Sequence, residues 1–392
     1  MLLTSTLLHT PEGMRDIYNG ECRDTTACEE KIMNLLHLFG FEDVRTPGLE
    51  YAEVFNKERG TVPENEMYRL FDGDGNILAI RPDITPAIAR LTARYFADSN
   101  EPLRFSYNEK TYRNTPGLRG QLKEVTQLGV ELIGDGSVSA DAEVVVAAIE
   151  SLLSCGMKEF KVEISSAAFL NSLISPLALT DEDHDEIRKI IDNKNRYAMR
   201  SFLLGHADSI STEKINVLMD LTDDFGSMNE ILAKENLNPV LTNPSFAKTR
   251  QALDRLVALD KIIAYYNLSE YVTYDLGMIG KLGYYTGIIL RGYTYGAGRP
   301  ILSGGRYDNL VSQFGKEAPA VGMAINMDEL MNALGNNNIH PYEKKKAVTI
   351  VTPENKLSEA VSLRLSYIEK GIRAVIVTDN SAGDIELSEE EK

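Results

Sequence analysis

The sequence predicts an α+β fold in which strands and helices are mixed along most of the chain. Residues 278–334 alternate short apolar strands with glycine turns and end in a helical segment. Residues 67–81 form two strand-like runs around the turn sequence DGDGN, the pattern of a β-hairpin. Residues 140–153 form a strongly apolar helical segment. Together, these observations predict strands and helices along the chain, and periodicity alone does not give their arrangement in a sheet.

Length and composition are those of an ordinary globular protein. The chain has 392 residues, enough for two domains, with 43% hydrophobic and 25% charged residues. No apolar run is as long as a membrane span, and the N-terminus lacks the basic region of a signal peptide. The cysteines (Cys22, Cys28 and Cys155) form no disulfide or metal pattern, which predicts a reducing cytoplasm. The histidines show no paired spacing for zinc, so no metal is expected. No cofactor is predicted.

The net charge of −17 bears on the partner. Proteins that bind nucleic acids present clustered lysine and arginine to the phosphates. An acidic chain therefore argues against tRNA as a partner, although a local basic patch within an acidic total stays open as the alternative.

The first predicted elements are a helix over residues 22–39 and a strand over residues 41–47. The helix has an apolar face that includes Ile32 and Leu36, and Gly40 provides its stop. Residues 41–47 alternate as a strand that Pro47 ends.

The hairpin at residues 67–81 and a helix over residues 87–98 come next. Asp72, Asp74 and Asn76 imitate half of a calcium loop, but no glutamate follows at the twelfth position, so the turn interpretation is favoured. Thr85 before Pro86 suits the N-cap of the helix, which does not exclude a ligand role for its hydroxyl.

The next strands are predicted at residues 103–107, 111–113 and 125–133. In the last of them Gln127, Gly129 and Glu131 share one face, because alternate side chains of a strand point the same way. This face is either the lining of a wet cleft or a solvated sheet surface, and the residues alone leave both open.

The rest of the chain predicts the domain organisation. After a strand at 160–164, residues 168–266 are polar and helical without a chemical motif, which predicts a helical insertion in a large domain over residues 1–335. A strand at 272–276 restarts the sheet. Residues 336–344 form a linker, residues 345–380 one βαβ unit, and residues 381–392 an acidic tail expected to be disordered.

The glycine-rich stretch 278–334 carries the candidate pocket. Glycine at this density means that the backbone passes close to a ligand or to another strand, and glycines alone favour a meander of hairpins. Aromatic and charged side chains beside them favour a pocket for a small, polar, partly aromatic ligand. These residues are Tyr284, Tyr285, Arg306, Tyr307 and Asp308.

Several segments, in this order, resemble the catalytic domain of class II aminoacyl-tRNA synthetases, and most closely histidyl-tRNA synthetase. GFEDVRTP (40–47) resembles motif 1, and Tyr112-Arg113 with EVTQLGVE (124–131) resembles motif 2. LGYYTG (282–287) and SGGRYD (303–308) resemble the two histidine motifs, and VGMAI (321–325) resembles the start of motif 3. The resemblance covers most of residues 10–335 and implies an antiparallel sheet flanked by helices.

The resemblance also implies a histidine pocket. The matching family positions place Asp83, Thr85 and Gln127 at the α-amino group and Glu131 and Tyr285 at the imidazole. Asp83 replaces the glutamate usual in the family, so its reach is one methylene shorter. The full set implied to bind histidine is Asp83, Thr85, Arg113, Gln127, Glu131, Tyr284, Tyr285, Arg306 and Tyr307.

By the same comparison, the ATP site has lost its key residues. Arg113, expected on the α-phosphate, is present, but a family glutamate is Thr115 here. The arginine of the first histidine motif falls at Gly280, and the motif 3 arginine falls at Glu329. Because adenylation relies on cations around the phosphates, these changes predict no catalytic residues and no ligase activity.

Residues 345–378 also supply only the first βαβ of the family's anticodon-binding domain. The combination resembles the regulatory subunits of ATP phosphoribosyltransferase. That resemblance implies a non-catalytic partner of the short-form catalytic subunit in histidine biosynthesis, with L-histidine as effector and a homodimer within a hetero-octamer. The alternatives are a truncated histidine–tRNA ligase, favoured by Arg113, and a scaffold with a vestigial pocket.

Overall fold

The computed structural model describes residues 8–56, 62–115, 122–177, 179–206, 210–220, 225–280, 284–343 and 346–390. The chain divides into two compact units, Met1–Ile339 and His340–Lys392. Leu282 and Gly283 of the first predicted histidine motif lie outside the described residues.

A sheet of nine described strands forms the centre of the larger unit. From one edge to the other, its strands are β1 (Glu42–Asp43), β5 (Leu103–Tyr112), β6 (Glu124–Ile133), β12 (Ala320–Asn326), β11 (Leu302–Arg306), β10 (Ile288–Thr294), β7 (Phe160–Ser166), β9 (Val272–Asp275) and β8 (Phe225–Gly226). The β1–β5 and β7–β9 pairs are parallel and the other neighbours are antiparallel. The predicted α+β class with an antiparallel sheet is confirmed.

Helices cover both faces of this sheet. They include α1 (Asn19–Leu38), α2 (Thr85–Tyr95), α3 (Val138–Ser154) and α11 (Met327–Asn336). Leu128, Val130 and Leu132 of β6 are buried in the core that contains α1 and α3. Phe105 and Tyr107 of β5 are buried in a second core, with α2. The alternation of side chains along a strand therefore separates an aliphatic core from a core rich in tyrosine.

A small sheet stands beside the central one. Its strands are β2 (Leu49–Tyr51), β4 (Ile77–Ile80) and β3 (Tyr68–Phe71). The predicted hairpin is confirmed by the β3–β4 pairing, and Asp72 Oδ1 accepts hydrogen bonds from the backbone N–H groups of Asp74 and Asn76, as expected of a turn.

Two strand predictions need correction. Residues 103–112 form one continuous strand, β5, because each of them pairs with β6. The strand predicted at 41–47 is reduced to the two residues of β1, since only these pair with β5.

The segment predicted as a helical insertion follows β7. It contains α4 (Ala167–Ile174), α5 (Asp181–Asp192), α6 (Arg196–Gly205), α7 (Thr212–Asp220), α8 (Met228–Leu232), α9 (Asn238–Thr242) and α10 (Ala247–Tyr265). No helix in the described ranges is long and apolar enough to cross a membrane.

The smaller unit consists of β13 (Ala347–Thr352), α12 (Leu357–Glu369), β14 (Arg373–Thr378) and β15 (Glu386–Glu390). β13 and β14 are parallel, so the predicted βαβ connection is confirmed. The prediction of a disordered tail is wrong for β15, which pairs antiparallel with β13. The edge of β13 that does not face β14 has backbone N–H and C=O groups that need partners. The acidic side chains of β15 do not prevent its backbone from pairing with these groups.

The three cysteines are free in the structure, and two of them are in contact. Cys28 of α1 and Cys155, directly after α3, are buried and bring their Sγ atoms to 2.6 Å. Spacing along the chain gave no sign of this contact, because the helices that carry the thiols meet only through tertiary packing.

Candidate functional site

A buried carboxylate, Glu131, lies at the centre of the candidate site. It is on β6 and is 1% exposed. Its Oε1 accepts a hydrogen bond from the Thr85 hydroxyl at 2.7 Å, and its Oε2 accepts one from the Tyr307 hydroxyl. The first residue of α2 and the loop after β11 thus meet the same carboxylate.

Burial controls the ionisation of Glu131. It raises the pKa of this carboxyl to about 8, although the hydrogen bonds from Thr85 and Tyr307 act in the opposite direction. A glutamic acid that titrates near neutrality can accept from an N–H group when ionised and can donate when protonated. Such a group suits a ligand that itself gains or loses a proton near pH 7.

A second buried carboxylate, Asp83, precedes α2 and is 6% exposed. Its Oδ1 accepts from the backbone N–H groups of Ile84 at 2.7 Å and Thr85 at 3.3 Å. Its Oδ2 is buried without a hydrogen-bond partner among the described residues. Burial raises the pKa of Asp83, and the charge of Arg113 opposes that rise. An unsatisfied buried carboxylate oxygen is costly, so this atom indicates a place for a cationic or N–H group.

Thr85 does not serve as the predicted N-cap. The helix α2 begins at Thr85 itself, and the N-cap residue is Ile84, whose side chain makes no capping hydrogen bond. The Thr85 hydroxyl donates to Glu131 instead, so the ligand-site interpretation of this residue is favoured over the capping one.

Tyrosine rings surround the carboxylates. The Tyr284 ring packs edge-on against Tyr285 and Tyr307, with centroids 5.0 and 5.6 Å apart. Burial raises the pKa of Tyr284 and Tyr307, and that of Tyr107 as well. Their hydroxyls therefore stay protonated and serve as hydrogen-bond donors or acceptors at neutral pH.

Glycines make room for these side chains. A Cβ at Gly322, which is opposite Glu131 on β12, would overlap the Glu131 carboxylate. The Tyr285 ring lies between Gly280 and Gly305, where an added Cβ would come within 2.7 Å of a ring carbon in each case. The glycine-rich stretch predicted that the backbone passes close to another group. At these glycines that group is a side chain of the site.

An open cavity of about 460 Å³ adjoins this cluster. Its size is that of a small-molecule site. Among the residues that line it are Arg113, Gln127, Gly280, Tyr285, Arg291, Arg299, Asp328 and Glu329. Gln127 connects the cavity with the buried cluster, since it shares a strand face with Glu131. Gln127 lines the cavity, so the cleft interpretation of this strand face is favoured there. Glu131 is buried, so the alternative of a solvated surface is wrong at that residue.

The three positions at which residues of the family's ATP site are replaced differ in their location. Gly280 and Glu329 both line the cavity, while Thr115 is partly buried at the end of a described range. The Glu329 carboxylate lies 3.8 Å from the Arg299 guanidinium, so an acidic group stands where the resemblance implies a cation.

Arg306 lies apart from the cluster and is 2% exposed. Its guanidinium donates to the Asp141 carboxylate at 2.7 Å and to Asp308 at 3.0 Å, and also to the carbonyls of Asp135 and Ser137. These contacts give Arg306 a structural role between β11 and the start of α3. Its predicted contact with histidine stays a prediction without support from this geometry.

Two residues escaped the sequence reasoning. The Tyr107 hydroxyl lies over Gly129, its partner across the β5–β6 pair, and Arg291 projects from β10 into the cavity. Strand register would have identified Tyr107, but register is not visible in one sequence. In the described ranges no group of three His, Cys, Asp or Glu side chains is arranged to hold a metal ion.

Comparison with known proteins gives a consistent result. The family model described as histidyl-tRNA synthetase matches residues 13–330. The ATP phosphoribosyltransferase regulatory subunit of Clostridium acetobutylicum is 39% identical over 90% of this chain and 86% of its own length.

Solved structures agree with this. The ATP phosphoribosyltransferase regulatory subunit/histidyl-tRNA synthetase from Bacillus halodurans has a TM-score of 0.82 and 31% identity, covering 96% of this chain and 94% of its own. Histidyl-tRNA synthetase from Nostoc sp. PCC 7120, at 21% identity and a TM-score of 0.77 over 95% and 86% of the two chains, shares the fold. The chain therefore belongs to the histidyl-tRNA synthetase family and, within it, to the ATP phosphoribosyltransferase regulatory subunits.

Proposed function

We propose that this chain is a regulatory subunit without catalysis of its own, which assembles with a short-form ATP phosphoribosyltransferase catalytic subunit in the cytoplasm. In that assembly it supports the first step of L-histidine biosynthesis and carries feedback inhibition by L-histidine. Homodimers of the chain take part in a hetero-octamer, and neither tRNA nor a cofactor is needed. The names of the relatives at 36–40% identity support the regulatory role.

The observation that carries the effector proposal is the pair of buried carboxylates, Glu131 and Asp83, beside an open cavity. L-Histidine carries an imidazole N–H at the end of its side chain and an ammonium group on Cα, separated by one methylene. The imidazole binds between Glu131 and the tyrosine hydroxyls, and the ammonium group satisfies the unpartnered Asp83 Oδ2 with help from Gln127.

Loss of ATP chemistry follows from the charges at the cavity. Adenylation needs cations at the phosphates, and removal of one such donor typically costs about 10²–10³ in rate. Gly280 provides no cation, and Glu329 adds a negative charge. These two residues support a site that retains amino-acid binding and no longer activates the amino acid.

Feedback inhibition requires differential binding. Histidine inhibits the assembly only if it binds the inactive state more tightly than the active one, and the ratio of the two affinities sets the size of the effect. The pocket is therefore the place where the affinity difference is generated, whichever surface transmits it.

The direct test is phosphoribosyl transfer to ATP by the short catalytic subunit from the same source, with and without this chain, titrated with L-histidine. Activation by the chain and inhibition as histidine rises are expected. No effect on the catalytic subunit would overturn the proposal.

Pocket variants locate the effector. Glu131→Ala and Tyr285→Phe are expected to weaken inhibition while assembly, measured by size-exclusion chromatography with light scattering, is retained. Glu64→Ala, which changes an exposed carboxylate that does not line the cavity, is the matched control. Unchanged inhibition in both pocket variants would place the effector elsewhere.

The ligase alternative rests on Arg113, which lines the cavity. Histidine-dependent exchange between ATP and pyrophosphate would establish it, and we expect none. The scaffold alternative predicts no histidine binding, which isothermal titration calorimetry of the chain tests directly.

A further inference from the structure

Gly280 leaves the carboxylate of a bound amino acid without the arginine that the family resemblance implies. The position cannot regain a side chain easily, because a Cβ at Gly280 would lie 2.7 Å from Tyr285 Cδ2. If the proposed effector is correct, another cation has to meet its carboxylate, or that group stays unrecognised.

The charged groups of the cavity divide into two kinds. Asp328 accepts from Arg15 at 3.0 Å, and Glu329 faces Arg299 at 3.8 Å, so these carboxylates already have cationic neighbours. Arg113 and Arg291 donate hydrogen bonds to the backbone carbonyls of Pro82 and Ile279, respectively. In the described chain neither of these two forms an ion pair with a carboxylate. Their acidic neighbours are Asp83 and the cross-strand partner Glu163, since the charge of Arg113 opposes the pKa rise of Asp83 and that of Arg291 opposes the pKa rise of Glu163. Without a direct ion pair, each guanidinium keeps donors for an anionic group.

Arg291 is held in place by the sheet. It lies on β10, where Ile289 and Arg291 point to the same face and both line the cavity. Its partner across the β10–β11 pair, Ser303, also lines the cavity. A guanidinium fixed by strand register and by one backbone carbonyl is preorganised for a second, bidentate partner.

The guanidinium of Arg291 reaches the vacated region. Its Nη2 donates to the carbonyl of Ile279, the residue that precedes Gly280. Burial raises the pKa of Tyr285, and the charge of Arg291 opposes that rise, so the cation lies near the phenol that the proposal places on the ligand.

We infer that Arg291 binds the α-carboxylate of the amino-acid effector and takes the place of the arginine missing at Gly280. This inference rests on the proposed function, because the effector is the one proposed there. The carboxylate and the imidazole are then recognised by separate groups, Arg291 in the open cavity and Glu131 in the buried cluster.

The test compares L-histidine with histamine, which keeps the imidazole and the amine and lacks the carboxylate. Both are titrated into the full chain by isothermal titration calorimetry. The unmodified chain is expected to bind L-histidine about 10- to 100-fold more tightly than histamine, the range for one charge-assisted pair. Arg291→Gln is expected to bring the ratio close to one by weakening histidine binding alone.

Three further variants separate binding from folding. Arg291→Lys keeps the charge without the bidentate geometry and is expected to retain part of the preference for histidine. Arg299→Gln changes a cavity arginine that already faces Glu329 and should leave the ratio unchanged. Glu131→Gln should weaken both ligands by a similar factor and so also leave the ratio unchanged.

The outcomes are distinct. An unmodified chain that binds both ligands equally, or an Arg291→Gln chain with an unaltered ratio, overturns the role of Arg291 and leaves the proposed effector site intact. A chain that binds neither ligand overturns both. If Arg291→Gln does not fold, the ratio measured with Arg291→Lys decides: an unaltered ratio overturns the role, and a reduced one supports it.

Discussion

The Thr85 hydroxyl donates to the Glu131 carboxylate at 2.7 Å, which joins the first residue of α2 to β6 inside the tyrosine-rich core. Both residues are more than nine-tenths buried. The bond satisfies one oxygen of a buried acid whose other oxygen accepts from Tyr307, so it stabilises the fold while it fixes the carboxylate for a ligand.

The first prediction concerns this bond. Thr85→Val keeps the shape of the side chain and removes the donor, so we expect a loss of about 1–3 kcal/mol in the free energy of unfolding. Thr92→Val is the matched control, because Thr92 lies on the same helix and its buried hydroxyl has no hydrogen-bond partner among the described residues. The control should change stability by less than about 0.5 kcal/mol or raise it. Equal losses in urea unfolding would contradict the role assigned to Thr85.

The pH dependence of stability follows from Glu131. Its pKa rises to about 8 in the folded chain, so the fold favours the protonated acid. The stability from this group is complete below the unfolded pKa of about 4.3 and is lost as pH rises towards 8, by up to about 1.4 kcal/mol per pH unit. Asp83, whose pKa is also raised by burial, acts with the same sign.

Glu131→Gln removes this titration. The unfolding free energies of the unmodified and variant chains, measured by urea denaturation between pH 5 and 8 without ligand, should therefore converge, or cross, as pH rises. A difference that stays constant over this range would show that unfolding does not change the protonation of Glu131 there.

Gly280 gives the third prediction. Gly280→Ala places a methyl group against the Tyr285 ring, and overpacking of this kind costs about 1–3 kcal/mol, which we expect to see as weaker binding of L-histidine. Gly335→Ala is the control, since an added Cβ there meets nothing within 4 Å and alanine favours the helix. Calorimetric titration compares the two, and equal affinities would show that Tyr285 adapts without cost.

Arg306 gives the fourth. Arg306→Gln leaves the buried Asp141 carboxylate with Arg255 as its remaining guanidinium partner, and breaking a buried pair costs about 3–5 kcal/mol. Arg69→Gln removes an arginine from an exposed pair with Glu64 and should cost less than about 1 kcal/mol. Thermal and urea unfolding measure both. A variant at Arg306 that keeps its stability and loses histidine binding would instead support the ligand contact implied by resemblance.

The sequence by itself determined the local elements, and its resemblance to a known family pointed to most residues of the buried cluster. The hairpin at β3–β4, the bounds of α5 and the shared face of Gln127 and Glu131 follow from periodicity and turn chemistry, which act within a few residues. The order of the motifs was equally readable, because a resemblance depends on residue identity and spacing alone.

Only the tertiary structure decided which side chains meet. Several contacts join residues that are distant in the chain. Thr85 and Tyr307 contact Glu131, and Arg306 contacts Asp141. Arg291 lines the cavity, and Cys28 contacts Cys155. The tail strand β15 also depends on a distant contact, because it pairs with β13. Strand register and helix packing set these distances, and one sequence carries no direct signal of either.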